Sequence, residues 1–395
     1  MPALVVFSHL RWDGGFQRPQ HLLTRFAWYG GVVYIEEPVY DAGPPFVEIS
    51  EPCANVRVLR AHTPIRAEGF HDDQIDLLEQ LLGPAIQAAS IGAYSAWFYT
   101  PMAQPLLRML TPRAVAYDCV DEPGMHSPEP WMFERREQAL LRQADVVFTS
   151  SPSAHEARRA SHHSIHCVPS AVDVEHFAQG REPVNAHPVL AGLGRPRAGF
   201  IGVVDERFDC ALLAALADAR PEWQLCIVGP VLNIEFARLP RRANIHYYGQ
   251  IAYTDLPSFL AGWDLCLLPF VVDKAPRFNG SSGVLEYMSA ERPVVSTPTG
   301  DVVRVYGNSV SIGYSTTEFI DACERALGET PQQSAQRRSR MRRRVAGLSW
   351  DNTAVAMMNM IEQAADQRSS GATRHTQPPL PAFTPTPAMA GIVDA

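Results

Sequence analysis

The chain has no excess of basic residues: 34 lysines and arginines stand against 42 acidic residues, which gives a formal net charge of −8 over 395 residues. This balance argues against a nucleic-acid-binding protein, because such proteins neutralise phosphates with a basic surface. The seven cysteines are scattered and none belongs to a CxxC pair, so neither a disulfide framework nor a cysteine-based metal site is expected. An odd number of unpaired cysteines is typical of a reducing cytoplasm.

Long apolar runs are also missing, and no segment approaches the roughly 20 apolar residues that a membrane-spanning helix requires. The apolar start, 1–8, is followed at once by the polar sequence HLRWDGG, which is not the pattern of a secretory signal peptide. The nicotinamide fingerprint GxGxxG is absent, which weakens a dehydrogenase hypothesis. These absences favour a soluble cytoplasmic protein, with a peripheral contact at the inner membrane face left open.

What the chain does contain is a regular alternation of short β-branched runs and helical stretches. Segments 4–8, 32–36 and 115–118 are predicted strands, while 17–28 and 73–89 are predicted helices because their apolar residues recur every three to four positions. This order predicts an α/β fold with parallel sheets that are covered on both faces.

The alternation of predicted strands and helices is interrupted once and then resumes, which predicts two Rossmann-like domains. We place the first domain at 1–180, a linker at 181–197 and the second domain at 198–348. A final helix is predicted at 349–366. The tail at 367–395 is rich in Pro, Thr, Ala and Ser, and it is expected to be disordered because it cannot bury enough apolar surface.

Polar and aromatic side chains crowd the turn after the first predicted strand. Ligands of Rossmann-like folds bind at the carboxyl ends of strands, and the paired glycines here allow close backbone approach to a ligand. The alternative is a surface loop in which the tryptophan fills a gap. His9 is a candidate for orienting an acceptor. The predicted acceptor-binding residues are Arg11, Trp12, Asp13, Gly14, Gly15 and Arg18.

Three acids follow another predicted strand, in the stretch YDCVDE. Asp118 and Asp121 could act as a base or bind sugar hydroxyls at this strand end. A helix-capping turn and a metal site are the alternatives. Metal binding usually needs further ligands that the segment does not supply, so no metal is predicted.

The second half of the chain offers a first candidate phosphate site in GVVDERFD. Gly202 ends a predicted strand, and Arg207 opens a helix predicted at 208–219. A planar guanidinium suits phosphate oxygens, so Arg207 could neutralise a diphosphate. The alternative is a surface ion pair of Arg207 with Asp205 or Glu206.

The stretch 273–298 is the strongest candidate site, because a serine-rich turn leads into a short helix that contains a single acid, Glu286. A Gly/Ser turn at a helix N-terminus is well suited to bind phosphate. An acid among apolar neighbours destabilises the fold unless a polar group forms a hydrogen bond with it. We predict phosphates on the turn and ribose hydroxyls on Glu286. The alternative is a helix cap with Glu286 in a structural hydrogen bond. The other predicted donor-binding residues here are Lys274, Arg277, Asn279, Ser281 and Ser282.

A dense basic run, 337–344, is predicted to be a solvated helix face. Weak docking on anionic lipid through Arg337 to Arg344 is the alternative.

These segments resemble the GT-B glycosyltransferases, and within them the family-4-like "glycosyl transferases group 1" type. The stretch SHLRWDGGFQRPQHLLTRFA is similar to the amino-terminal signature of a subgroup tied to cell-surface polysaccharide synthesis, including teichuronic-acid-type transferases. YDCVDE, ADVVFTSSPS, VPSAVDVEHF and VLEYMSAERPVVSTP resemble later landmarks of that subgroup. The resemblance covers about 3–361. It implies two Rossmann-like domains facing a cleft, with a C-terminal helix that crosses back to the first domain.

The resemblance also implies an activity. A sugar would move from a UDP- or GDP-sugar, a co-substrate rather than a bound cofactor, to a hydroxyl of a polysaccharide or lipid-linked acceptor, with retention and without metal. Glu286 matches the ribose-binding acid. Two positions depart from the pattern: Phe278 replaces an acid, and Gly283 stands where a lysine is expected to face the diphosphate. A non-catalytic sugar-nucleotide-binding protein and a nucleotide-sugar epimerase are the alternatives; no oligomeric state is predicted.

Overall fold

The structure, a computed structural model, describes residues 3–120, 130–272 and 282–370. This part of the chain divides into two compact units. Unit 1 runs up to Pro169 and includes the segment that begins at Trp350, while unit 2 runs from Ser170 to Ser349. Each unit is built on its own sheet.

Unit 1 contains a sheet that is parallel except at one edge. Its strands are β1 (Ala3–Ser8), β2 (Val32–Glu36), β3 (Val39–Tyr40), β4 (Phe46–Cys53), β5 (Val56–Thr63), β6 (Tyr94–Phe98), β7 (Val115–Cys119), β8 (Val146–Thr149) and β9 (Ile165–Cys167). Their order is β3-β5-β2-β1-β6-β7-β8-β9, and β4 pairs antiparallel with β5. Every residue of β1, β2, β7 and β8 is buried, so both faces of the central sheet are covered, as continuous apolar strands require.

Four helices accompany these strands: α1 (Arg18–Phe26), α2 (Asp72–Ala88), α3 (Pro130–Gln143) and α4 (Pro152–Arg158). Of these, α1, α2 and α4 begin at recognisable caps. In α1, Gln17 and Gln20 form a capping box and Pro19 occupies the first turn, where its missing N–H costs nothing. Because α1 starts directly after the β1 turn, the loop 9–17 is held at the carboxyl edge of the sheet.

Unit 2 has a fully parallel sheet. Its strands are β10 (Arg197–Ile201), β11 (Gln224–Val228), β12 (Ile245–Gly249), β13 (Leu265–Leu268), β14 (Val294–Ser296) and β15 (Ser311–Ile312), in the order β12-β11-β10-β13-β14-β15. Its helices are α5 (Val174–Ala178), α6 (Cys210–Ala219), α7 (Leu256–Gly262), α8 (Ser282–Ser289), α9 (Gly300–Tyr306), α10 (Thr316–Leu327) and α11 (Pro331–Val345). The alternation of parallel strands and helices confirms the predicted Rossmann-like architecture.

The last helix, α12 (Trp350–Ser369), belongs to unit 1 and packs against α1 and β8. The Trp350 ring stacks on His21 with a centroid distance of 4.6 Å. Arg25 pairs with Asp351 at 2.7 Å, and Arg113 pairs with Glu362 at 3.3 Å. The predicted return of the final helix to the first domain is therefore confirmed.

An edge strand was not predicted, and one helix begins later than predicted. The strand is β4, most of whose residues are exposed and which carries Pro52 among acids. Helix α6 begins at Cys210 rather than 208, because the side chain of Asp209 accepts a hydrogen bond from the Leu212 N–H at 2.8 Å and caps the helix there. Arg207 therefore lies in a turn. No helix within the described ranges combines the length and apolar character needed to span a bilayer.

Candidate functional site

Three glycines mark the carboxyl edge of the unit 2 sheet. Gly202 follows β10, Gly229 follows β11, and Gly249 ends β12. The Gly202 N–H donates to the Val228 carbonyl at 3.0 Å, and the Gly229 N–H donates to the Gly249 carbonyl at 2.7 Å. A Cβ on Gly229, whose φ is +139°, would lie 1.9 Å from the Gly202 carbonyl oxygen. Glycine at 229 is therefore required by the close approach of the ends of β10 and β11 at this edge.

Helix α8 is fixed against this edge by Tyr287. The buried Tyr287 hydroxyl accepts a hydrogen bond from the Ile201 N–H at 2.7 Å and lies 3.3 Å from the Ile201 carbonyl. Val284 and Leu285 fill the core beneath the helix. This packing holds the first turn of α8, and its N–H groups, beside the end of β10.

Glu286 projects from this fixed helix. Burial raises the pKa of Glu286 from 4.5 to about 7. Its side chain forms no hydrogen bond or ion pair with any residue of the described ranges. A half-buried carboxylate without such a partner is costly to the fold and is typical of a group kept for a ligand. The alternative of a structural hydrogen bond to Glu286 is not observed in these ranges.

Two threonines follow β14 at the same edge. The Thr297 hydroxyl accepts a hydrogen bond from the Phe270 N–H at 3.1 Å and ties the ends of β13 and β14 together. The Thr299 hydroxyl is buried and has no hydrogen-bond partner within the described part of the chain. Neither residue was predicted from the sequence, although Thr297, a polar residue directly after the buried strand β14, was a usable signal.

Arg207 forms an ion pair with Asp205. The sequence left this pairing open as the alternative to a phosphate contact. Its Nε lies 2.9 Å from both carboxylate oxygens of the buried Asp205, and a terminal nitrogen of Arg207 contacts the same group. The Arg207 carbonyl also accepts a hydrogen bond from the Val271 N–H at 2.8 Å. This pairing fixes the β10–α6 turn near the edge of the sheet and lowers the free charge that Arg207 can offer a diphosphate.

The other residues predicted to bind the donor lie in or next to the segment 273–281, which is outside the described residues. They are Lys274, Arg277, Asn279 and Ser281, together with the side chain of Ser282. Gly283 is described, in the first turn of α8. A Cβ on Gly283 would have its nearest neighbour, the Ile201 carbonyl oxygen, at 3.7 Å, which is ordinary contact distance. A side chain therefore fits at this position.

At the carboxyl edge of unit 1, a buried acid organises the predicted acceptor segment. Glu36, the last residue of β2, accepts hydrogen bonds from the Trp12 N–H at 2.7 Å, from Arg11 at 3.1 Å and from Arg60 at 2.6 Å. The Trp12 carbonyl in turn accepts from Gln20 of α1 at 2.8 Å. These bonds hold the loop after β1 in one conformation.

The side chains of that loop differ in exposure. The Trp12 ring packs edge-on against Tyr34 at 5.2 Å and stays half-buried, while Asp13 and Gly14 are exposed. Gly15 has φ +135°, a conformation that a side chain would strain. His9 is half-buried at the end of β1. The structure thus places His9, Arg11 and Trp12 at one sheet edge; their role in acceptor binding stays a prediction.

Arg18 and Asp118 are brought together, but in the interior. Arg18 donates from Nε and a terminal nitrogen to the two carboxylate oxygens of Asp118 at 2.9 and 3.1 Å, and also to the Val168 carbonyl at 3.0 Å. The side chains are 4% and 0% exposed. Arg18 is thus a buried structural tie to Asp118, which is the next-to-last residue of β7. Asp121 lies outside the described residues.

One arginine of the basic run on α11 is internal: Arg337 is buried and pairs with Glu329 at 2.9 Å. Arg342 is exposed and donates to Glu291 at 2.6 and 3.0 Å. Arg338, Arg340 and Arg343 are exposed as well. Among the described residues, no group of three or more His, Cys, Asp or Glu side chains is arranged to hold a metal ion.

Comparisons with known proteins agree with this geometry. Residues 195–329, all within unit 2, match the family described as "Glycosyl transferases group 1". Sucrose-phosphate synthase from Thermosynechococcus elongatus has a TM-score of 0.71 at 18% identity, covering 92% of this chain and 99% of that one. The lipopolysaccharide glycosyltransferase WaaG has a TM-score of 0.63 at 12% identity, with 91% and 99% covered. No curated protein matches the chain.

A further structural neighbour carries a ligand. The trehalose-6-phosphate protein from E. coli, bound with UDP-2-fluoro glucose, has a TM-score of 0.65 at 13% identity, covering 91% of this chain and 99% of that one. At such identities the likeness establishes the fold, which is the GT-B fold of two Rossmann-like domains. Similarity to the group 1 glycosyltransferases is found for residues 195–329 of unit 2.

Proposed function

We propose that the protein transfers a sugar from a UDP- or GDP-sugar to a hydroxyl of a polysaccharide, glycolipid or similar acceptor, and that the donor binds at the carboxyl edge of unit 2. The observation that supports this is Glu286: a half-buried acid with a pKa of about 7, on a helix fastened to the end of β10 by Tyr287. Ribose hydroxyls would donate to this carboxylate. The UDP-sugar bound by the structural neighbour from E. coli supports the same donor class.

The chemistry follows from charge. Breaking the sugar–phosphate bond leaves a cationic sugar and a departing diphosphate, so dipoles directed at the diphosphate lower the barrier. The N–H groups in the first turn of α8 would serve this role, as would Arg207 if the diphosphate draws it from Asp205. Gly202, beside them, would contribute only by letting the backbone come close to the donor. Lys274 and Arg277 are further candidates in the adjoining segment. We propose retention of configuration and activity without a metal cofactor, following the resemblance.

Gly283 favours a second candidate, a protein that binds sugar nucleotides without catalysis. Glycine stands where the resemblance expects a lysine facing the diphosphate, although a Cβ at this position would meet only ordinary contacts. Loss of a charge-assisted contact costs about 1.5–3 kcal/mol, which is enough to slow transfer markedly. Binding with no turnover would support this candidate.

Calorimetry with a panel of UDP- and GDP-sugars in the presence of EDTA tests the donor site directly. We expect binding to at least one of them, weakened in Glu286→Ala. Absence of binding across the panel contradicts the proposal. Donor turnover that needs an added acceptor supports a transferase, whereas conversion of the donor alone supports an epimerase.

We further propose that the protein acts in the cytoplasm, peripherally at the inner membrane face. The exposed Arg338, Arg340 and Arg343 of α11 supply a basic face for anionic lipid. Sedimentation with vesicles of anionic phospholipid tests this, with neutral vesicles as the control. Equal sedimentation with both contradicts it.

A further inference from the structure

Glu37, which follows β2, resembles Glu286 in its environment although it lies in the other unit. It is half-buried at the carboxyl edge of its sheet. Within the described residues its carboxylate accepts no hydrogen bond and joins no ion pair. Burial raises the pKa of Glu37, opposed by the positive charges of His9 and Arg11 and assisted by Glu68. Glu37 is thus, after Glu286, a second acid that the fold partly removes from water without a hydrogen bond or ion pair from the described residues.

The register of the sheet places His9 beside Glu37. Ser8 of β1 pairs with Glu36 of β2 at the end of a parallel ladder, and His9 and Glu37 follow these two residues directly. Adjacent strands are about 4.8 Å apart at this point, and the charge of His9 lowers the pKa of Glu37, which shows that the two side chains are near each other. Arg11 completes the group, because it donates to the Glu37 carbonyl at 2.6 Å as well as to Glu36.

A glycine makes room for the Glu37 carboxylate. Gly69 has φ +56°, and a Cβ there would lie 2.7 Å from one Glu37 carboxylate oxygen and 3.4 Å from the other. Any other residue at this position would displace the carboxylate. The position of the Glu37 side chain therefore depends on the absence of a side chain at residue 69.

The surrounding charge decides which ligand suits this group. Arg11 and Arg60 both donate to the buried Glu36, which offsets part of their charge. Asp13 and Glu68 are exposed acids close by. A phosphorylated ligand would meet these carboxylates, whereas an uncharged polyol would donate its hydroxyls to Glu37 and could pack on the half-buried Trp12 ring.

We propose that Glu37 is an acceptor-binding residue that selects the uncharged hydroxyls of a sugar ring over a phosphorylated sugar. This inference deepens the proposed function and rests on it. Glu37 would accept from two neighbouring hydroxyls, with Arg11 and His9 fixing its surroundings and Gly69 keeping the space open.

The test compares the full-length wild type with Glu37→Gln, Gly69→Ala and the matched control Glu68→Gln. Ligand-observed NMR, in the presence of UDP or GDP, follows a set of methyl glycosides of glucose, galactose, mannose and N-acetylglucosamine, with glucose 6-phosphate as the anionic counterpart. We expect at least one glycoside to bind about tenfold or more weakly to Glu37→Gln, since a hydrogen bond to a charged group is lost. Gly69→Ala should weaken it as well, and Glu68→Gln should not.

Several outcomes overturn the inference. These are equal glycoside binding by wild type and Glu37→Gln, a preference of the wild type for glucose 6-phosphate, or no glycoside binding at all. Calorimetry with UDP- and GDP-sugars on the same samples separates this failure from failure of the donor site, because Glu37→Gln should bind the donor as the wild type does. Thermal denaturation of each variant verifies that it is folded.

Discussion

Replacing Glu286 with glutamine should stabilise the protein at alkaline pH and weaken its binding of a nucleotide sugar. Burial raises the pKa of Glu286 from 4.5 to about 7, so the folded state holds this proton more tightly than the unfolded state does. The corresponding stability is fully present below pH 4.5 and is lost as the pH rises through about 7. Glutamine carries no charge and is not subject to this loss.

The size of the effect follows from the pKa. Each pKa unit corresponds to about 1.36 kcal/mol, so the rise from 4.5 to about 7 corresponds to roughly 3 kcal/mol at about pH 8. For a domain of this size, 1 kcal/mol shifts Tm by about 2–4 °C, which predicts a rise of about 6–12 °C for Glu286→Gln. Partial solvent screening of the half-buried side chain favours the lower end.

Thermal denaturation of both proteins across the range from about pH 5 to about pH 9 measures this difference. The gap in Tm should be small at the acidic end and should widen towards the alkaline end. The matched control is Glu291→Gln. The Glu291 carboxylate accepts hydrogen bonds from Arg342 at 2.6 and 3.0 Å and pairs with Arg181 at 3.0 Å, so that variant should lose stability instead.

The Glu286→Gln substitution should also lower the affinity for the donor. Calorimetry with the donor should show affinity about tenfold lower or worse in Glu286→Gln, since a charged acceptor of hydroxyl hydrogen bonds is removed. A variant that gains stability and loses affinity marks a residue kept for ligand binding. The reasoning is refuted if Glu286→Gln is less stable than wild type at alkaline pH, or if the gap in Tm does not change with pH.

Three further substitutions probe other parts of the two units. Gly283→Lys should fold, because a Cβ at this position meets only ordinary contacts. Calorimetry should show that it binds UDP or GDP about tenfold more tightly, because a charge-assisted contact to phosphate is added. An equal gain in Gly283→Gln would contradict a charge effect. Asp118→Asn should cost about 3–5 kcal/mol in urea denaturation, since Arg18 is left buried without its charge partner; a loss under 1 kcal/mol would show that the pair is dispensable. Gly229→Ala should lower the Tm of unit 2 far more than Gly249→Ala, because a Cβ at Gly229 would collide with the Gly202 carbonyl oxygen. A Cβ at Gly249 meets open space, and that variant costs only about 1–2 kcal/mol for its φ of +69°. Equal losses of Tm in the two variants would contradict the close approach at Gly229.

Buried strands were the best-predicted elements. The predicted bounds of β2 match the structure, and those of β1 and β7 differ from it by one residue at one end, because runs of apolar residues leave few alternatives to a central parallel strand. Strand β4 escaped prediction because its pairing with β5 is a tertiary contact, and its own residues are mostly exposed. A half-exposed edge strand has no continuous apolar signal.

The candidate site was predictable in part. The Glu286 helix could be inferred from a lone acid among apolar residues after a glycine- and serine-rich turn. The pairing of Arg18 with Asp118 could not, because the two are 100 positions apart and a charge pattern does not specify its partner. Glu36 and Glu37 were missed although an acid pair that ends a buried strand was visible, since only the sheet register shows that they lie beside His9 and Arg11.

The return of α12 to unit 1 has a consequence for synthesis on the ribosome. All strands of unit 2 are translated before Trp350, so that sheet can form while unit 1 still lacks its last helix. Until α12 emerges, the surface of α1 and β8 that it covers stays open to water and to other chains. A message that stops short of Trp350 would therefore encode an intact unit 2 joined to an unfinished unit 1, and such a chain is a natural substrate for chaperones.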